Sequence, residues 1–302
     1  MSALFFGGNN NSTSYNVYSS RRSTPNMAEP VTIHSSSELA LINSCPPTRY
    51  TNLQQLRQLV IIHFNKVKHG EFRKEYFSIS GVSPRVFDII ENHRRDLGSA
   101  VRFTYFADIS TLIIKVVVEP HESAHLELGA AMIIRASQMG ISRREFKAIG
   151  STRHHGVDAS QKEGDSSYIN RAIRLNPGDW PSIVIEAGYS ESLPRLRNDM
   201  KWWIDRSGGE VRIVLLVKLS PITRNMVIEK WIPRLQPRQN EGIQVATIDI
   251  TSSTNPPTVT RDPLILEFDK VFLRPANPPN EQDIQFTRQH LEQYASLVWD
   301  DV

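Results

Sequence analysis

Residues 121–125 read His-Glu-Ser-Ala-His, a literal H-E-x-x-H. On a helix the two histidines fall one turn apart on one face and can share a zinc ion, with the glutamate as general base. That is the chemistry of a zinc metallopeptidase. The segment directly follows Pro120, however, and His125 shares an apolar stripe with Leu128, Met132 and Met139. The competing reading is one capping histidine and one histidine at the edge of the core. A second set is a pair of carboxylates. Asp165 opens a short strand after a polar loop, and Glu186 closes the apolar run Ile183-Val184-Ile185 just before Ala187-Gly188. Two acids on adjacent strands can hold Mg²⁺ or Mn²⁺ through oxygen ligands, and that ion can polarise a phosphodiester and activate water. The alternative is that Glu186 pairs with an arginine at the sheet end.

Basic residues surround these acids. Leu193, Leu196, Met200, Trp203 and Ile204 form one helical stripe, and Lys201 lies about a quarter turn to one side of it. From there Lys201 could lean toward Glu186, or snorkel at the core edge. The loop Gly150-Ser151-Thr152-Arg153-His154-His155, with Lys162, is placed to touch phosphates, or is a plain surface loop.

The elements that must hold these groups follow from periodicity and stop signals. Helices are expected over 52–67 with Thr51 as cap, 84–97 with Ser83 as cap, 120–139 closed by Gly140, 192–207 closed by Gly208-Gly209, and 281–299 capped by Asn280. A hairpin is expected over 102–106 and 111–118. Further strands are expected at 146–150, 165–169, 181–186, 211–219, 226–232, 243–250 and 263–272, with 151–164 as a loop and 233–242 as a linker. The residues give an α/β (α+β) class, divided as a disordered Ser/Asn-rich arm at 1–48, a helical segment at 49–100, a core at 101–235, and a β extension with a final helix at 236–302.

One cysteine, Cys45, excludes an internal disulfide and a multi-cysteine zinc site. No apolar run approaches the roughly 20 residues of a membrane helix, so no membrane partner is expected, and the absence of a signal-peptide core points to an intracellular protein. The net charge is +3, but its distribution is uneven. Residues 50–235 hold 27 basic and 20 acidic residues, while 236–302 hold 5 and 10. A mildly basic body carrying the candidate acids suits a polyanionic partner.

The order of these features resembles the PD-(D/E)XK nuclease fold, in particular a large group of fungal restriction-endonuclease-like proteins mostly of unknown function. The match is carried by Gly150-Ser151-Thr152, by Lys162-Glu163-Gly164-Asp165-Ser166-Ser167-Tyr168, by the run from Trp180 through Glu186-Ala187-Gly188 to Ser192, by Asp199-Met200-Lys201-Trp202-Trp203 and by Gly209 to Leu216. It covers about 100–302, with its specific part at 150–217, and is more distantly similar to endonuclease-like proteins common in cyanobacteria. The resemblance implies a mixed central sheet flanked by helices and Mg²⁺- or Mn²⁺-dependent phosphodiester hydrolysis, with DNA as the partner and a homodimer as a further expectation. It implies Asp165 and Glu186 as metal-binding catalytic acids, Glu127 rather than Glu122 as the acid on the first helix, and Lys201 as the catalytic lysine. Arg153 and Lys162 would contact the nucleic acid. Two positions depart from the motif: Gly164 stands where a proline precedes the aspartate, and Gly188 where a lysine follows the second acid. A degenerate, non-cleaving protein that binds nucleic acid or protein is therefore the alternative, beside the zinc peptidase.

Overall fold

The computed structural model describes residues 34–43, 45–71, 74–98, 100–189, 191–236 and 239–300. The chain enters with α1 (Ser36–Leu39), β1 (Thr48–Arg49) and α2 (Leu53–Lys68). The N-cap of α2 is Asn52, whose side chain accepts from the Gln55 amide at 2.9 Å, one residue later than the expected Thr51. β2 (Tyr76–Ser80) precedes α3 (Pro84–Asn92), which is capped by Ser83 with Pro84 in its first turn. β3 (Val101–Phe106) and β4 (Thr111–Val116) form the expected hairpin.

Next comes α4 (Glu119–Gln138), which gives way at Gly140 (φ +79°), a left-handed position that costs glycine little. β5 (Lys147–Ala148) follows, then β6 (Arg153–His155) and β7 (Gln161–Glu163), which return to the β3 edge. The first sheet thus runs β1-β2-β4-β3-β7-β6. Two expectations are corrected here. Residues 49–100 are not a purely helical segment, because β2 is paired into this sheet, and 151–164 is not a free loop. β2 and β7 are held by partners distant in sequence, which local periodicity cannot report, and β6 pairs with β7. The arm expected at 1–48 is also too long. Residues 1–33 lie outside the described residues, but Leu39 and Ala40 are buried against α5 and its neighbours.

The second sheet is built from β8 (Ser166–Ile169), β9 (Ile183–Gly188), then α5 (Leu193–Arg206), β10 (Ile213–Ser220), β11 (Asn225–Gln236), β12 (Gln239–Thr251) and β13 (Thr258–Thr260), in the order β13-β12-β11-β10-β9-β8-β5. β9 and β10 pair in parallel; the other pairs are antiparallel. β11 to Gln236 and β12 from Gln239 pair with each other across the segment expected to be a linker. β14 (Leu264–Leu266) and α6 (Phe268–Phe272) replace the strand expected at 263–272. β15 (Ile284–Phe286) and α7 (Arg288–Asp300) replace the single helix expected at 281–299.

Alternation along β9 decides what the second sheet presents to each side. Ile183, Ile185 and Ala187 join Ala124, Leu128 and Met132 of α4 and Tyr294 and Val298 of α7 in one core. Val184 joins Leu196, Met200 and Trp203 of α5 in another. Glu186 and Gly188 share that second face. α4 lies very close to β8 at Gly129, where a Cβ would sit 1.8 Å from the Tyr168 hydroxyl oxygen. The architecture is therefore mixed α/β, with two mixed sheets and flanking helices. No helix among the described residues is long and apolar enough to cross a membrane.

Candidate functional site

Where the first sheet meets β9 and α5, nine ionisable side chains form a continuous chain of alternating sign, and every member is at most 8% exposed. It begins at Glu75, which faces His121 Nδ1 at 3.5 Å. His121 Nε2 lies 3.1 Å from Asp165 Oδ1. Asp165 Oδ2 accepts from Lys115 Nζ at 3.0 Å and from the Ala187 amide at 2.8 Å. Lys115 lies 3.7 Å from Glu191, and Glu191 lies 3.6 Å from Arg195. Arg195 reaches Asp199 at 3.2 Å, Asp199 accepts from Lys162 at 2.6 Å, and Lys162 lies 3.3 Å from Glu186. The Trp203 indole donates to Glu186 Oε1 at 2.5 Å.

Each element delivers its residues for a local reason. β4 brings Lys115 in from the first sheet, beside the Ala187 carbonyl that its ammonium also reaches at 2.6 Å. Arg195 and Asp199 lie one turn apart in α5, and Glu191 lies just before its N-cap Ser192. The first turn of α4 aims His121 at the start of β8. Five carboxylates stand against three permanent cations and His121, so with the imidazole protonated and every carboxylate charged the excess is one negative charge.

The titration behaviour follows from burial and that excess. Burial pushes the Glu186 carboxyl up to about 7, with Lys162 pulling it down and Asp165 and Asp199 pushing it further up. Burial likewise carries Glu191 up to about 7, against Lys115. For Asp165 the same burial cost is outweighed by His121 and Lys115, which hold it well below the ordinary carboxylate range. Burial would lower His121, but Asp165 overrides it and the imidazole rises to about 9. Lys115 is raised in the same way, burial being overcome by Asp165 and then by Glu191.

The structure brings some expected site residues together and scatters others. Asp165 and Glu186 belong to the chain. Lys201 does not: its ammonium lies 3.3 Å from Glu38 of α1, and its side chain is 32% exposed. The quarter-turn offset that suggested a lean toward Glu186 instead carries it to α1. Glu127 is also elsewhere, in the groove between α4 and α7 beside Tyr294 and His290. It is not the acid that α4 offers Asp165, and His121 takes that place. Lys162 is buried between Asp199 and Glu186, so it is not a phosphate-facing residue. Arg153 is spent on Glu91 at 2.5 Å and Glu163 at 2.8 Å. The motif departure at Gly188 has a steric cause. A Cβ there would lie 2.9 Å from the Cβ of Glu191 and 3.2 Å from Leu196, so a lysine side chain has no room. Register pairs Gly188 with Lys218 of β10, and Lys115 enters from β4.

The residues missed from sequence are Glu75, Lys115, Glu191 and Arg195, with Asp199 and His121 noticed for other reasons. One signal was available: Lys115 interrupts an apolar run from Leu112 to Val118, where a solvated lysine has no place. The H-E-x-x-H residues do converge. One donor atom each from His121, Glu122 and His125 lies within 4.8 Å of the others. In comparisons with known proteins, no family model matches the chain and no curated protein does.

Proposed function

We propose that this protein is a metal-dependent phosphodiester hydrolase of the PD-(D/E)XK nuclease type, with DNA as its substrate class. The observation that carries the reading is that Asp165 and Glu186, from adjacent strands, belong to one buried charge chain of five carboxylates and four basic groups. A divalent cation fits such a donor set, because it favours the charged forms of Glu186 and Glu191, which burial drives up to about 7. The order α4, β5, β8, β9, α5, β10 in a mixed sheet flanked by helices supports the reading, because the resemblance implies a mixed central sheet flanked by helices.

In this reading Asp165 and Glu186 hold Mg²⁺ or Mn²⁺, whose chemistry is to polarise a phosphoryl oxygen and acidify water. Lys115 replaces Lys201 as the cation beside the acids, positioned by Asp165 and the Ala187 carbonyl. It supplies fixed positive charge where a phosphate's charge develops. The Ala187 amide and Trp203 fix the two carboxylates in orientation.

A second reading is supported by a specific observation. Asp165 is 3% exposed and Glu186 1%, and each already accepts from nearby donors. That closure favours a non-cleaving relative that binds nucleic acid or protein and keeps the chain as internal structure. The peptidase reading needs Glu122 free as a base, whereas Glu122 is engaged by Arg102 at 3.2 Å and by His125 at 3.1 Å. Plasmid cleavage with Mg²⁺ or Mn²⁺ separates the first two. Nicking by the wild type that disappears in Asp165→Ala supports the hydrolase. Binding of DNA with no cleavage in either metal supports the inert relative.

A further inference from the structure

The two histidines of the H-E-x-x-H segment are held in a way the hydrolase reading does not use. His121 directs Nε2 at Asp165 Oδ1, 3.1 Å away, and its Nδ1 faces the Glu75 carboxylate at 3.5 Å. His125 repeats the pattern: Nε2 lies 3.1 Å from Glu122 Oε1, and Nδ1 lies 2.8 Å from Ser166 Oγ. Both rings therefore have Nδ1 next to an oxygen acceptor and Nε2 next to a carboxylate oxygen. A histidine that ligates a metal through one nitrogen characteristically donates its other N–H to such an acceptor, which fixes tautomer and ring angle. The Asp165 oxygen involved is not the one that Lys115 and the Ala187 amide occupy. Neither that oxygen nor either His121 nitrogen makes an aligned hydrogen bond, and both side chains are buried.

We propose that His121, His125, Glu122 and Asp165 form a binding site for a borderline transition-metal ion, Zn²⁺ above all. Two imidazoles and two carboxylates are the donor set of a tetrahedral zinc centre, whereas an all-oxygen set would suit Mg²⁺. The two donor pairs at 3.1 Å match the edge of a tetrahedron of side about 3.3 Å, given metal–ligand bonds of about 2.0 Å. One nitrogen from each ring and one Glu122 oxygen already lie within 4.8 Å, so these three need a contraction of up to about 1.5 Å, while Asp165 lies outside that group and joins it through His121 at 3.1 Å. Glu122 is then a ligand and not the general base that a peptidase requires. The site shares Asp165 with the hydrolase reading but does not depend on it, since an inert protein can bind zinc equally well.

The test uses the full chain, stripped with chelator and titrated with Zn²⁺ or Co²⁺ in the absence of DNA. The expected result is one ion per chain with the visible absorption of four-coordinate Co²⁺. His125→Gln should abolish stoichiometric binding while leaving the circular dichroism unchanged, and His155→Gln should leave binding intact, because His155 is an exposed histidine of β6. Absence of stoichiometric Zn²⁺ or Co²⁺ on the folded wild type overturns the site. So does binding that survives in His125→Gln. Neither outcome touches the cleavage assay, so failure here and failure of the hydrolase reading are separable.

Discussion

At the scale of single residues, Lys115 and Lys201 make opposite predictions. Lys115 is held between Asp165 and Glu191 in the interior, and removing one partner of a buried ion pair leaves the other uncompensated. Lys115→Ala should cost roughly 3–5 kcal/mol in a denaturant titration. Lys201→Ala should cost about 0–1 kcal/mol, as expected of a half-exposed pair with Glu38. Equal effects would contradict the placement. The titrating groups set a pH profile for the chelator-treated protein. Glu186 and Glu191 rise from 4.5 to about 7 on folding, so their charging destabilises the fold as pH climbs through that window. His121 rises from 6.5 to about 9, so its stabilising contribution is complete below 6.5 and lost as pH rises through 9. Asp165 and Asp199 are lowered from 3.8, and their contribution is lost as pH falls below that value. The melting temperature should peak in mildly acidic buffer and fall steadily from pH 6 to pH 9; a rise over that range would refute the assignment.

At the scale of elements, the seating of α4 on β8 fixes the site, because it brings His121 and His125 to the start of that strand. Gly129 permits the approach. Gly129→Ala should destabilise the protein by about 1–3 kcal/mol, since its Cβ would meet the Tyr168 hydroxyl oxygen at 1.8 Å. Adding Tyr168→Phe removes that atom and leaves the next ring carbon at 3.0 Å, so the double variant should recover much of the loss. No recovery would mean the contact is not the cause. The same elements show what the sequence made legible. Apolar period and stop signals located α2, α4, α5, β9 and β10 closely, because each carries its own pattern. β2 and β7 were missed as sheet members because their partners are distant in the chain, and β6, which pairs with β7, was missed with it. The acids at 165 and 186 were legible through position, as charges at the ends of apolar strands. Their cations were not, because Lys115 arrives from the other sheet and Lys201 sits on the wrong side of α5.

At the scale of the whole molecule, the ion chain lies at the junction of two sheets and ties β4, α4, β8, β9 and α5 into one arrangement. The basic excess over residues 50–235 is partly internal, since Lys162 and Arg195 neutralise acids and do not face a polyanion. The most direct measurement is cleavage of end-labelled duplex DNA with Mg²⁺ or Mn²⁺ by the wild type, Glu186→Gln and Lys201→Ala under one set of conditions. The wild type and Lys201→Ala are expected to cleave at similar rates, and Glu186→Gln not at all. A wild type that cleaves in neither metal, or a folded Glu186→Gln that cleaves as the wild type does, would contradict the hydrolase reading.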